Sequence, residues 1–365
     1  MKNTTRRPLV LILTCCLALV AAIGITRGQL FSIAAHLIRQ TVSPELTATA
    51  IANPSLPRAG ADFVYHPHDT DKTVTLLAVG DIADCKATTI FGKIGDDLLY
   101  SAGFGSDMAA KKVGHVRTEK LVRQYPEAPL LVLGDLVYSS GSPAEFHHCY
   151  DQSWGRHKAR TFPAPGNHEY NSLGALGYFN YWGDKAGPDR RGYYSIRFGN
   201  WLVLSLNSEV GVYDGSHQFD WINATLDRAG TDCVLVFYHS PAFSTRHRKN
   251  SDGVRPLFKL LEALGVTAVL NGHNHFYERT RPLDGSGKSA RDDGMLTFVV
   301  GTGGKVRKRD EEPSPISDRM ITEENGVLKL DLHNGAFDWQ FIAATGHRVL
   351  DEGSAACRDR TRFRS

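Results

Sequence analysis

Two histidines stand two positions apart, directly after an apolar run, in the segment Asn271-Gly272-His273-Asn274-His275. The preceding run, residues 266–270, is rich in β-branched side chains and predicts a buried strand that ends in a sharp turn at the Asn-Gly pair. In an extended segment His273 and His275 share a face, so they can hold two neighbouring metal ions, or one ion and a substrate oxygen. Such pairs also occur in ordinary loops, so the interpretation depends on what other strand ends supply.

Four other predicted strands also end in residues that can bind metals. In chain order these residues are Asp81, Asp135 with Tyr138, Asn167 and His239. A single polar residue after a strand usually forms a turn or a cap, but five such strand ends are improbable by coincidence. In an open α/β sheet the carboxyl ends of the strands converge, so we expect these side chains to meet. Their mixture of carboxylates, an amide, a phenol and imidazoles favours two transition-metal ions over Ca²⁺ or Mg²⁺.

The segments between these strand ends show alternating helix and strand patterns. Helical spacing is found in residues 109–125, 216–229 and 254–264, a hairpin pattern in residues 192–207, and a β-meander pattern in residues 326–350. Helices that alternate with apolar strands predict crossover connections between parallel strands, and therefore an α/β fold. The stretch Gly301-Thr302-Gly303-Gly304 follows a further strand, residues 296–300, but it is a weak phosphate-loop signal because no Lys-Ser or Lys-Thr pair follows.

Composition and charge limit the function classes. The 365 residues, 42% of them hydrophobic, suffice for one large α/β core. A formal net charge of +3, with basic residues scattered along the chain, gives no reason to expect a nucleic acid as a stable partner. The densest basic cluster, residues 246–249, favours an anionic substrate.

The N-terminus predicts export. Basic residues up to Arg7 precede an uncharged stretch, residues 8–25, whose roughly 18 residues exceed a typical cleavable core and approach the length of a membrane span. We favour cleavage slightly over a retained anchor, which would attach the protein to a membrane through residues 8–25. In either case the remaining chain is expected outside the cytoplasm, as a periplasmic, secreted or outward-facing anchored protein.

Four cysteines follow this N-terminal segment: Cys85, Cys149, Cys233 and Cys357. An even number in an exported protein permits disulfides. Cys85 and Cys149 each follow a candidate site loop, so a bridge between them is the first expectation. Cys233 opens a strand and is expected to be a buried thiol.

The five motifs together resemble those of the calcineurin-like metallophosphoesterases. They are Gly80-Asp81, Gly134-Asp135-x-x-Tyr138, Gly166-Asn167-His168-Glu169, Val236-x-x-His239 and Gly272-His273-x-His275. The tyrosine of the second motif points to the purple acid phosphatase branch, and the resemblance covers about residues 73–304. It implies a four-layer αββα sandwich with two mixed β-sheets and a dinuclear metal site at the carboxyl ends of the strands.

The resemblance also implies which residues bind the metals. The first ion would be bound by Asp81, Tyr138 and His275, the second by Asn167, His239 and His273, with Asp135 bridging the two. A tyrosinate ligand implies Fe³⁺ in the first position, with Fe²⁺, Zn²⁺ or Mn²⁺ in the second.

Three further residues take roles by the same resemblance. His168 would donate a proton or hold the phosphate, and Glu169 would orient His168 or a metal-bound group. His247, in the loop after His239, would contact the substrate, although a neighbouring arginine or lysine could do so instead. Asp84 and the residue after it stand where the family often has a glycine, which leaves the role of Asp84 open.

The predicted activity is hydrolysis of phosphate monoesters, with phosphorylated small molecules as substrates, through attack by a metal-bound hydroxide. The metal ligands do not distinguish monoesters from diesters, so a phosphodiesterase or nucleotidase of the same fold is an alternative. A non-catalytic metal- or phosphate-binding surface protein is another. The predicted organisation is a signal peptide or anchor (1–28), a linker or arm (29–72), a catalytic domain (73–352) and a C-terminal tail (353–365).

Overall fold

The computed structural model of the protein describes residues 63–65, 73–87, 108–110, 114–247, 249–290, 293–305 and 311–363, all of which belong to one compact unit, Ser55–Ser365. The predicted signal segment and most of the predicted arm lie outside these residues. No helix in this described part of the chain combines the length and the apolar character that a membrane crossing requires.

The described strands form two large sheets and one small sheet. In chain order they are β1 Phe63–Tyr65, β2 Val74–Val79, β3 Ala83–Ala87, β4 Met108–Ala110, β5 Leu130–Leu133, β6 Val137–Tyr138, β7 Thr161–Ala164, β8 Tyr194–Phe198, β9 Trp201–Ser205, β10 Val234–Phe237, β11 Ala268–Asn271, β12 Tyr277–Thr280, β13 Leu296–Val300, β14 Ser317–Ile321, β15 Gly326–His333, β16 Ala336–Ala343 and β17 Val349–Ala356. The eight-stranded sheet has the order β1-β8-β9-β10-β11-β13-β12-β14, the six-stranded sheet the order β17-β16-β15-β2-β5-β7, and the small sheet the order β4-β3-β6. Both large sheets are mixed. In the eight-stranded sheet the central strands β9, β10, β11 and β13 are parallel. In the six-stranded sheet β2, β5 and β7 are parallel at one edge, and β15, β16 and β17 are antiparallel toward the other.

The helices connect and cover these sheets. They are α1 Gly114–Val122, α2 Pro143–Glu145, α3 Leu176–Trp182, α4 His217–Asp227, α5 Lys249–Gly253 and α6 Arg255–Ala263. Short 3₁₀ or π turns lie at Phe146–Tyr150, Trp154–Arg160, Glu169–Asn171, Leu173–Ala175, Gly183–Ala186, Pro188–Arg190 and Arg360–Phe363. The predicted helices over residues 216–229 and 254–264 are confirmed as α4 and α6. The predicted helix over residues 109–125 begins only at Gly114, because β4 pairs with β3 before it.

The two large sheets pack face to face. Phe298 of β13 and Trp201 of β9 both contact Phe337 of β16, with ring centroids 6.5 and 5.7 Å apart. The alternate side chains of the eight-stranded sheet, among them Leu204 and Val236, face the other way and pack with residues of α4 and α6. On the far side α1 packs on β15 of the six-stranded sheet. The predicted αββα sandwich is therefore confirmed.

The C-terminal residues are bound into the same unit. β17 crosses the predicted boundary at residue 352, and Cys357 forms a disulfide with Cys233. The prediction of a buried thiol at Cys233 is wrong, because the returning tail brings Cys357 beside the start of β10. Cys149 is also disulfide-bonded, and its partner lies outside the described side chains, so the pairing with Cys85 stays a prediction.

Candidate metal centre

The predicted metal-binding side chains lie at the carboxyl ends of β2, β5, β7, β10 and β11. Backbone hydrogen bonds join the loops that carry them. The N–H of Asp81 donates to Gly134 O at 3.1 Å, and the N–H of Gly272 donates to His239 O at 3.0 Å. The two sheets thus present their strand ends to one place, and a continuous set of contacts links Asp81, Asp135, Tyr138, Asn167, His239, His273 and His275.

These linked side chains are the ligand cluster, and one half of it consists of Asp81, Tyr138 and His275. The Tyr138 hydroxyl donates to Asp81 Oδ1 at 2.6 Å and lies 3.3 Å from His275 Nε2, which is 3.2 Å from the same Asp81 oxygen. Burial, and then the negative charges of Asp135 and Asp81, raise the pKa of Tyr138 well above its usual range. A tyrosinate at this position therefore needs a bound cation to stabilise it.

His239 lies at the centre of the other half. Its Nδ1–H donates to Leu133 O at 2.8 Å, which leaves Nε2 of the neutral ring with a lone pair. Around Nε2, at 3.2 Å each, lie Asn167 Oδ1, Asp135 Oδ1 and His273 Nδ1. On a neutral ring these oxygens would face the Nε2 lone pair, so a cation is required there, either a proton on Nε2 or a metal ion that all of these groups could bind.

The charge balance in this half leads to the same conclusion. Burial alone would lower the pKa of His239, but the charge and hydrogen bond of Asp135 raise it to about 10. The cluster thus attracts a positive charge to the position of the imidazole nitrogen. The potential ligand atoms of Asp135, His239 and His273 lie within 4.8 Å of one another, which is the spacing that one ion requires.

Asp135 contacts both halves of the cluster. Its Oδ1 lies 3.2 Å from His239 Nε2, and its Oδ2 accepts from the Tyr138 hydroxyl at 3.1 Å. The backbone N–H of His168 also donates to Oδ1, at 2.9 Å. One carboxylate that reaches both groups of ligands has the position that a bridging ligand needs.

The backbone at the cluster is strained, and close contacts at glycines leave it little room. The backbone φ values of Asp81, Asp135 and His273 are positive, at 59°, 49° and 70°. Residues other than glycine rarely adopt such values. At Gly134 a Cβ atom would lie 2.6 Å from His239 Nδ1, and at Gly166 it would lie 2.4 Å from an Asp135 oxygen. The glycines that precede the motif residues therefore make space for the ligand side chains.

His168 stands at the more open side of the cluster. Its Nδ1–H donates to Ser139 O at 2.6 Å, and its Nε2 lies 3.9 Å from Asp135 Oδ2. The side chain is 29% exposed, so solvent or a substrate can reach the ring. The structure thus places His168 beside the predicted ligands.

The Glu169 side chain is hydrogen-bonded to backbone N–H groups and not to His168. Its buried carboxylate accepts from the N–H groups of Asp135, Leu136 and Gly166 at 3.0, 2.9 and 2.8 Å. Burial, and next the charge of Asp135, raise the pKa of Glu169 to about 8, while the backbone donors oppose that rise. A cation bound at Asp135 would remove part of it. Glu169 therefore orients the loop that carries Asp135, a role that the sequence suggested only in general terms.

His247 lies on the loop that follows His239, and none of its described contacts reaches the cluster. Its side chain is 55% exposed, and Nε2 lies 3.4 Å from Asp252 Oδ2. Two hydrogen bonds to Ser244 anchor the loop: Glu278 accepts from Ser244 Oγ at 2.6 Å, and Asn274 donates to the same hydroxyl at 2.9 Å. These anchors were not assigned from the sequence, where their only signal was their place within and after the histidine pair.

The sequence is similar to known phosphoesterases over the segment that contains the ligand cluster. The profile of the calcineurin-like phosphoesterase family matches residues 74–277. An uncharacterized protein of Mycobacterium tuberculosis is 29% identical over 289 residues, which are 69% of this chain and 51% of that protein. Purple acid phosphatase 21 of Arabidopsis thaliana is 29% identical over 266 residues, which are 66% of this chain and 58% of that protein. The chain thus spans little more than half the length of these relatives.

A solved structure shares the fold. Purple acid phosphatase PPD1 from yellow lupin (Lupinus luteus) seeds superposes with a TM-score of 0.63 at 17% identity, covering 80% of this chain and 56% of the lupin chain. At that identity the likeness concerns the architecture alone.

Proposed function

The chain belongs to the calcineurin-like phosphoesterase family, and we propose that it is an exported phosphatase of the purple acid phosphatase type that hydrolyses phosphate monoesters. The observation that carries this proposal is the Tyr138 hydroxyl, which lies 2.6, 3.1 and 3.3 Å from atoms of Asp81, Asp135 and His275. A phenolate is a hard, anionic ligand that favours Fe³⁺ over a divalent ion. We therefore assign iron to the first position and Fe²⁺, Zn²⁺ or Mn²⁺ to the second.

The proposed ligands divide as the contacts do. The first ion would be held by Asp81, Tyr138 and His275, the second by Asn167, His239 and His273, with Asp135 shared. Bound there, the two ions would supply Lewis acidity toward the phosphoryl oxygens and a water molecule of lowered pKa. The chain contributes three anionic side chains, which leave an Fe³⁺/M²⁺ pair with a net positive charge that attracts a phosphate ester.

His168 is the proposed proton donor to the leaving group. Its Nδ1–H bond to Ser139 O fixes the ring, and Asn171 Nδ2 donates to the same carbonyl at 3.1 Å. A protonated imidazole held in this way can transfer its Nε2 proton to a departing alkoxide. His247 is proposed to contact the substrate after release from Asp252. That exposed pair is worth less than about 1 kcal/mol, so a phosphate group can compete for the imidazole.

Export is part of the proposal. Residues 1–28 would direct the chain out of the cytoplasm, with residues 8–25 either removed or retained as an anchor. The Cys233–Cys357 disulfide supports this location, because such bonds persist in oxidising compartments.

Steady-state kinetics with p-nitrophenyl phosphate and bis(p-nitrophenyl) phosphate test the proposed activity. We expect a kcat/KM at least about tenfold higher for the monoester. His168→Ala should lower kcat about 100-fold, and His247→Ala should raise KM about threefold with kcat unchanged. Preference for the diester would make the enzyme a phosphodiesterase, and unchanged kinetics in either variant would remove that histidine from the site.

A further inference from the structure

The glycine-rich stretch Gly301-Thr302-Gly303-Gly304 lies against the loop that carries Asp81. The N–H of Gly303 donates to Gly80 O at 2.9 Å, and the N–H of Lys305 donates to Asp81 O at 3.1 Å. A Cβ atom at Gly303 would lie 2.6 Å from Gly80 O, so the contact between the two backbones requires glycine there. These glycines position the chain beside the metal centre, and they fix the point from which the Lys305 side chain extends.

Lys305 places its ammonium group over a proposed metal ligand. Its Nζ lies 4.0 Å from the centroid of the Tyr138 ring and 2.7 Å from Asp84 Oδ1. The Lys305 and Asp84 side chains are only 12% and 5% exposed. A cation at this distance from an aromatic face is attracted to the ring, and more strongly when solvent is excluded.

The lysine, the acid and the tyrosine form one connected group. Asp84 of β3 and Tyr138 of β6 are directly paired in the small parallel ladder, so the acid and the ring are fixed relative to each other. A lysine that only neutralised Asp84 would not need to lie over the ring. The shared arrangement gives the pair a second effect, which is a positive charge held at one face of Tyr138.

We propose that Lys305, held by Asp84, is a positioning residue of the metal centre that fixes the Tyr138 ring and lowers the energy of its π electrons. The inference rests on the proposed function, because its signal requires Fe³⁺ on Tyr138. A cation over the ring stabilises the orbitals that donate an electron to the ferric ion. Charge transfer from the ring then needs more energy, so Lys305 keeps the absorption band at a shorter wavelength.

The visible absorption spectrum of purified holoenzyme variants, with metal analysis of each, tests this effect. Lys305→Met removes the charge but keeps a long side chain, and it should move the band to longer wavelength by on the order of 20 nm. Lys305→Arg keeps the charge and should keep the wild-type band. Lys158 offers a matched control, since its Nζ also lies 4.0 Å from a tyrosine centroid, that of Tyr181. Lys158→Met should leave the band unchanged.

Each outcome decides the question. An unchanged band in Lys305→Met that retains its iron overturns the inference. If Lys305→Met loses iron while Lys305→Arg is fully loaded, the charge is needed at the site and the inference is supported; equal loss in both variants overturns it. Asp84→Asn is the second variant, and its loosened lysine should give a smaller shift in the same direction. A wild-type protein without the band would instead refute the ferric assignment of the proposed function, and the inference would fall with it.

Discussion

Gly134, which links β5 to Asp135, allows a close approach that an alanine would block. Its φ is +83°, and a Cβ atom there would lie 2.6 Å from Nδ1 of His239, the atom that donates to Leu133 O. Gly134→Ala should cost about 1 kcal/mol for the left-handed backbone and a further 1–3 kcal/mol or so for crowding against the ring. We expect the free energy of unfolding to fall by about 3 kcal/mol and His239 to be displaced from the cluster.

Gly335, between β15 and β16, provides the matched control. Its φ is also +83°, but apart from its two chain neighbours no heavy atom of the described residues lies within 4 Å of the Cβ position. Gly335→Ala should therefore cost only the backbone contribution, about 1 kcal/mol. The difference between the two variants measures the contact with His239.

Urea denaturation gives the two unfolding free energies, and metal analysis with p-nitrophenyl phosphate hydrolysis reports the site. Gly134→Ala should lose about one metal ion per chain and lower kcat/KM by up to about 100-fold, because a ligand is moved. Gly335→Ala should keep its metal and its activity. Equal stability of the two variants, or full metal content in Gly134→Ala, would refute the reasoning.

Two further predictions concern the links that stabilise the fold. Despite burial, hydrogen bonds from Arg279 and Tyr277 lower the pKa of Asp351, so its stabilising contribution is full above the unfolded-state pKa of about 4 and is lost as the pH falls through the folded-state value. Asp351→Asn should cost about 2 kcal/mol in urea denaturation at neutral pH, with a gap to wild type that narrows below about pH 4; a gap independent of pH would contradict this. Cys233→Ser opens a loop with a sequence separation of 124 residues. Without reductant it should lower the free energy of unfolding by about 4–5 kcal/mol, and a loss under about 1 kcal/mol would mean that the bridge does not constrain the unfolded chain.

The strands and their ligand-bearing ends could be predicted because both are local properties of the sequence. The strand predicted over residues 296–300 has the same bounds as the observed β13. The strand β11 ends at the Asn-Gly turn that precedes His273. A buried strand appears in the sequence as a short apolar run. A polar residue directly after such a run therefore lies at the carboxyl end of the strand, where sites form in an α/β sheet.

Contacts between distant loops could not be predicted in this way. Cys357 meets Cys233, and Lys305 covers Tyr138, only because separate segments return to the same place. The hydrogen-bond partners of Glu169 could not be predicted either, because they are backbone N–H groups that carry no residue-specific signal. Such contacts depend on the packed loops, and periodicity reports only the elements between them.

The central claim, that Tyr138 binds a ferric ion in a dinuclear centre, is tested most directly by the visible absorption spectrum and metal content of wild-type protein and Tyr138→Phe. We predict about two metal ions per wild-type chain, one of them iron, with a charge-transfer band in the middle of the visible range that Tyr138→Phe lacks. A colourless wild-type protein, or a band that survives in Tyr138→Phe, would contradict the claim.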